Sequence, residues 1–223
     1  MEINHQNIVA IHALTGLLIF LTGFLQFLLK KGTRLHRIIG YTYFISWFVI
    51  IATGAAIGSL VVVAIVVLGF YLAIMAIRSA VLKNKPYAGL DRIIVGIAAA
   101  MVLFLMIASL NFFVKGNSGI AILSGIFFLL YLFIIGRDFA FVFFKKRILL
   151  PDRGKFGWYV SHMVRMQFSF VTALSAFVAT QNVFGNTILN FTLPGFFAFF
   201  IIRWNTRQQI KKLGMQKNPK IHA

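Results

Sequence analysis

The sequence predicts an all-α fold: a polytopic membrane protein built as a seven-transmembrane-helix bundle, N-terminus outside and C-terminus in the cytoplasm. Three observations carry that prediction. Of 223 residues, 60% are hydrophobic and 12% charged, and the charges stand between long uncharged runs, as in chains whose solvent is lipid. The apolar runs are about 20 residues long, the length that crosses ~30 Å of hydrocarbon at ~1.5 Å per residue. The connections between them are alternately rich and poor in Lys and Arg, and short loops rich in both stay in the cytoplasm.

The first span covers 8–29, 22 residues without a formal charge. The segment MEINHQNIVA has no basic n-region and the run after it is long enough to span, so it reads as a retained helix and not as a signal peptide. KKGTRLHRIIGYTY, Lys30 to Tyr43, is a tight turn into the second span, with Thr33 placed to cap the new helix. From Ile38 to Ile77 the chain is apolar, about 60 Å as one helix and twice the bilayer. Gly58 and Ser59 divide it into spans 38–57 and 60–82.

A polar loop with Pro and Gly, KNKPYAGLDR, leads to the fourth span, 93–114, and Lys115 to Ser118 turns the chain into the fifth, 119–140. Arg137 and Asp138 fall where the fifth span reaches the far face, which puts them at the interface. KKRILLPDRGKFG, Lys145 to Gly157, is the longest polar connection, and 158–180 is the sixth span. The seventh, 188–204, contains Pro194 and Gly195, breaks that membrane helices tolerate where neighbours satisfy the freed backbone groups. Residues 205–223 form a basic cytoplasmic tail.

Charge counting tests the division. Lys and Arg number four between spans one and two, none before span three, four up to span four counting Arg78, and one before span five. Six follow between five and six, none before seven, six at the C-terminal end, and Arg165 inside the sixth span completes the 22. Seven helices satisfy the positive-inside rule throughout, whereas six would leave the basic tail outside. The expected location is a bacterial cytoplasmic (inner) membrane, multi-pass.

The excess of 22 basic residues over four acidic ones would suggest nucleic acid in a soluble chain. Here the basic residues end apolar segments, so the expected partners are membrane lipids, with anionic headgroups at the cytoplasmic leaflet, and no nucleic acid. A second copy of the chain or another membrane protein is the remaining partner class. The absence of cysteine excludes disulfides, thiolate metal sites and iron–sulfur clusters. No Walker loop, HExxH pair or GxSxG occurs, and the acids are too few for a paired-carboxylate site, which reads against hydrolytic and phosphotransfer enzymes.

Most span residues need only a packing account. Gly54 and Gly58 make a small-xxx-small pair for close helix approach. Trp47 is mid-span packing, while Trp158, Tyr159 and Trp204 lie where amphipathic rings anchor in the headgroup zone. A short set of polar residues is costlier. His12 shares a face with Thr15 and Gly16 near the outer end of span one, where it either hydrogen-bonds a neighbouring helix or serves as a cofactor ligand or proton relay. His36 lies in the first turn of span two. His162 and Arg165 share a face one and two turns into span six, and Asp138 is the acid whose depth matches Arg165. His36 with Arg37, Arg137 with Asp138, and His162 with Arg165 all belong to the cytoplasmic side and are expected to meet in one polar site.

HALTGLLIFLTGFLQFL from His12, RLHRIIGYTY from Arg34 and WYVSHMVRMQFSFVTALSAF from Trp158 resemble the bacterial membrane protein family filed as domain of unknown function 2306. That family's recurring positions correspond to His12, Gln26, His36, Arg37, Gly40, Tyr41, His162 and Met166; a Pro often follows the Gly of its first span, where this chain has Phe24. The resemblance implies a fold and a membrane, and no activity.

Two classes of function remain open from the residues. One is a redox protein in which His36 and His162 hold a single haem b, with Arg residues for its propionates. His36 precedes its apolar run by two residues and His162 follows the start of its own by four, an offset of about 9 Å that closes only if the second helix begins deeper than its apolar pattern. His12, at the other face, has no partner histidine in the spans. The other class is a small transporter, lipid-handling or membrane assembly protein using the same polar groups.

Overall fold

The computed structural model describes residues 5–58, 60–83, 85–87, 89–145 and 156–212. The described residues form seven helices and no strands: α1 His5–Leu28, α2 Arg34–Ile57, α3 Leu60–Leu82, α4 Gly89–Val114, α5 Ser118–Phe144, α6 Gly157–Thr180 and α7 Thr187–Lys212. Every one is long and apolar enough to cross a bilayer, the build of a multi-pass membrane protein. Ser59 of the predicted turn, the 146–155 part of the connection before α6, and residues 213–223 of the predicted tail lie outside the described residues.

Several helices begin earlier or end later than their apolar runs, because backbone hydrogen bonding continues wherever a cap allows it. Thr33 caps α2: its Oγ accepts from His36 N at 3.2 Å, so the helix starts at Arg34. α4 starts at Gly89 with Asp91 in its first turn, where an acid suits the positive end of the helix dipole. α5 runs on to Phe144 and closes with Lys145 in the left-handed conformation (φ 55). Pro194 takes one hydrogen bond from α7 without ending it, and that helix passes the predicted boundary at 204 to reach Lys212.

Four helices, α1, α2, α3 and α6, close a ring in which each packs on the next and α6 returns to α1. α2 and α6 face each other across it. Its interior is aromatic and small-residue: Trp47 and Tyr43 of α2 are buried, with ring centroids 6.2 Å apart. Gly69 of α3 has no side chain where the Trp47 indole and Thr172 Oγ1 of α6 lie, so the absence of a Cβ there allows three helices to meet. Gly23 of α1 leaves the same kind of room for Phe170 of α6. The α4–α5 hairpin packs outside this ring against α3, and α7 against α6.

Gly54 and Gly58 divide their tasks. Gly54 admits the His12 ring, whose Cε1 would stand 3.4 Å from an added Cβ. Gly58 ends α2 instead of admitting a helix, its N–H bonded to Gly54 O at 2.7 Å.

Candidate functional site

The ends of α1, α3 and α5 and the starts of α2, α4 and α6 share one end of the bundle, called here the basic end. The best-defined polar constellation lies there. Arg165 of α6 points into the protein: its Nη1 and Nη2 donate to Asp138 Oδ2 and Oδ1 of α5 at 2.7 and 2.6 Å. Tyr71 of α3 donates its hydroxyl to the same Oδ2 at 2.6 Å. Asp138 is buried, so it sits in the wall between helices, and α5 continues for six residues beyond it. The bidentate fork and the phenol leave neither charge unpaired, the condition under which a buried ion pair is tolerated.

The third guanidinium nitrogen starts a directed chain. Arg165 Nε donates to Ser161 Oγ at 3.1 Å. Ser79 commits its proton to Met75 O at 2.8 Å, so across the 3.1 Å Ser79–Ser161 contact it is Ser161 that donates. The run therefore goes from Arg165 through Ser161 and Ser79 to the α3 backbone.

One residue from Ser161, His162 turns to the other side of the α3–α6 seam. Its Nδ1 lies 3.0 Å from Ala76 O. A carbonyl only accepts, so Nδ1 carries the proton and, in the neutral ring, Nε2 keeps its lone pair. His36 of α2 is close enough for its charge to interact with that of His162, and Lys31 is within the same reach of both. His36 Nδ1 is buried without a partner among the described residues. α2 begins at Arg34, earlier and not deeper than its apolar run, so its start does not remove the offset expected between the two histidines.

Gln26 fixes the first turn of α2 by donating Nε2 to His36 O at 2.9 Å, and Lys31 Nζ donates to Gln26 O. Lys31 is exposed as a residue, and the partial loss of water around its ammonium, which donates to Gln26 O, holds its pKa below the ordinary lysine value.

The expected single site is thus two neighbouring stations joined through residues 75–79 of α3: an ion pair with its phenol on the α5 side, and two histidines on the α2 side. Two groups stand apart. Arg37 is exposed. Arg137 is within electrostatic reach of Asp138 and Arg165, but its guanidinium lies over the Phe133 ring, 5.2 Å from the centroid. His12 is at the opposite end, where its Nδ1 lies 2.8 Å from Thr53 Oγ1. Thr53 gives its own proton to Val49 O at 2.7 Å, so His12 is the donor and its role there is to join α1 to α2.

Sequence reasoning missed Tyr71, Ser79, Ser161 and a second ion pair. Arg78 near the end of α3 grips Asp91 of α4 through Nε–Oδ1 at 2.6 Å and Nη2–Oδ2 at 2.9 Å, with Asp91 fully buried. The signal was available: α3 and α4 are joined by a short loop, so a basic residue in the last turns of one lies opposite an acid in the first turn of the next. Tyr71 was detectable as a mid-span phenol that needs a partner in lipid. Among the described residues no cluster of three or more His, Asp or Glu could hold a metal ion. No protein-family model, curated protein or solved structure matches this chain.

Proposed function

We propose that this is an integral protein of the bacterial cytoplasmic membrane, with its basic end in the cytoplasm, whose working site is the His36–His162 station and whose ligand is one haem b. The observation that carries the reading is the fixed tautomer of His162. The Ala76 carbonyl holds the Nδ1 proton, as backbone carbonyls do for metal-ligating histidines, and so presents Nε2 as an electron-pair donor. Histidines on facing helices of a four-helix ring are the arrangement in which bundles hold haem. A haem bound there would supply one-electron chemistry.

The chain's own part is to orient and to neutralise. Ala76 and Gln26 set the two histidine-bearing turns, and Lys31, Arg34 and Arg37 offer cations at the basic end for propionates. Trp47 and Tyr43 fill the ring interior, which keeps water from that side of the station. Placement in the cytoplasm is supported by the alternation of basic and neutral connections. The resemblance to domain of unknown function 2306 fits the same layout, with His36 and His162 at recurring positions.

The test is an absorption spectrum of protein purified after expression with excess haem. A Soret band at one haem per chain is expected, lost in His162→Ala and in His36→Ala. Protein without the band, or a His162→Ala chain that keeps it, refutes the reading. A second reading, a small transporter or lipid-handling protein, is favoured by the Tyr71–Asp138–Arg165 junction, because an ion pair shared by three helices would have to reorganise if α5 moved against α6. It predicts no haem in any variant and a transport or lipid-handling defect in Tyr71→Phe, which perturbs the junction while keeping the ion pair.

A further inference from the structure

We infer that Arg137 is a binding site for the phosphate of an anionic phospholipid on the outer wall of α5, independent of the histidine station. The charge balance of the bundle wall points to it. Two acids lie in the described helices, Asp91 and Asp138. Asp91 is gripped by Arg78, and both oxygens of Asp138 are taken by Arg165, one of them also by Tyr71. Arg137, next to Asp138 in sequence, projects about 100° away around the helix and makes no ion pair among the described residues. Its Nε is buried with no hydrogen-bond partner there.

The direction of the side chain is informative. An arginine in a span ordinarily snorkels toward the nearer water. Arg137 instead folds back over Phe133, one turn farther from the basic end, and Phe133 is 52% exposed on the wall that faces lipid. The guanidinium remains charged at any accessible pH; its Nε is shielded, and the terminal nitrogens of this half-buried side chain, which make no hydrogen bond among the described residues, are the groups that call for an anionic acceptor.

Depth selects the kind of anion. Arg137 is 19 residues beyond the start of α5 at Ser118, about 28 Å along the helix at ~1.5 Å per residue, against a hydrocarbon core of ~30 Å. The backbone of Arg137 thus stands at the boundary where lipid phosphates and glycerol esters lie, and its guanidinium, folded back over Phe133, sits about one turn beneath it. Below it the exposed side chains of Leu129, Leu130 and Phe133 offer an apolar track for acyl chains, and at Gly136 an added Cβ would meet nothing within 4 Å, so the wall beside the guanidinium is open. A free phosphate would gain the same cation but nothing from the apolar track, which favours the lipid.

Native mass spectrometry of the full chain in mild detergent, titrated with phosphatidylglycerol or phosphatidylcholine, tests the site. The wild-type chain is expected to retain phosphatidylglycerol in preference by about five-fold, the scale of one basic residue at an anionic surface. Arg137→Gln should abolish the preference at the tightest site and Arg137→Lys should keep part of it. Arg203→Gln, an exposed charge at the basic end of α7, should leave it unchanged. An Arg137→Gln chain that melts with wild type in detergent and yet keeps the full preference overturns the proposal. So does displacement of the lipid by millimolar inorganic phosphate, which would reassign the site to free phosphate. If Arg137→Gln does not fold, Arg137→Lys decides: a reduced stabilisation by phosphatidylglycerol, measured as a melting shift, supports the site, and an unchanged one refutes it.

Discussion

Asp138→Asn should be among the most damaging single changes in the protein. The carboxylate accepts three hydrogen bonds at 2.6–2.7 Å, two from the Arg165 fork and one from Tyr71. An amide of the same shape keeps one acceptor and turns an NH₂ toward the guanidinium, which leaves a charge in the protein wall without its counter-charge. Arg165 has a side-chain exposure of 15% and Asp138 of 7%, so little water is available to take over. Breaking one side of a buried pair costs about 3–5 kcal/mol. For a chain of this size each kcal/mol moves the melting temperature by about 2–4 °C, giving a fall of about 6–20 °C by intrinsic fluorescence or size-exclusion melting in detergent. The double variant Asp138→Leu/Arg165→Met removes both charges and should recover most of the loss, because replacing a buried pair with apolar groups is close to neutral. A single variant that melts within about 2 °C of wild type, or a double variant no better than the single, would refute the argument that pairing holds α5 to α6.

The remaining predictions follow from geometry of the same kind. Gly69→Ala places a methyl on Trp47 and Thr172 and should cost about 1–3 kcal/mol, whereas Gly96→Ala, with open space at its Cβ, should be neutral or gain up to ~1 kcal/mol from helix propensity; equal effects in a melting assay would contradict the three-helix contact. Asp91→Asn should loosen the α3–α4 hairpin, read as faster amide exchange in the last turn of α3 with the exchange of α6 unchanged. Cytoplasmic-reporter fusions after Ala223 and within the Lys83–Arg92 loop should both be active, and an inactive C-terminal fusion would reverse the proposed orientation of the bundle.

Where the helices would lie was legible because lipid imposes a length and a polarity on every span. Their ends were less so. α2, α4 and α5 run past their apolar segments because capping is a matter of single residues such as Thr33 and Lys145, which hydropathy does not weigh. The pairing of Asp138 with Arg165 could be anticipated since both cost too much alone at that depth. Their third partner could not be assigned from helical periodicity, since Tyr71 meets Asp138 only through the neighbour relations of α3, α5 and α6. The same limit applies to His36 and His162, whose facing positions depend on α6 returning to the first three helices, and to Arg137, whose separation from Asp138 is a matter of which way each side chain leaves the same helix.

The ring of α1, α2, α3 and α6 is interrupted in the chain by the α4–α5 hairpin, and this has a consequence for biosynthesis. Membrane chains are made from the N-terminus onward, so the first three helices must wait through the synthesis of two more before the fourth wall of their ring exists. In that interval the Ala76 carbonyl has no imidazole, and the hollow at Gly69 lacks the threonine that helps fill it. Asp138 leaves the ribosome before its arginine does, with Tyr71 as its donor and the adjacent Arg137 within electrostatic reach. Until α6 leaves the ribosome, the first three helices form a three-walled intermediate open along its length. Entry of α6 then closes the ring, seats Thr172 at Gly69 and brings the Arg165 fork to Asp138 beside Tyr71.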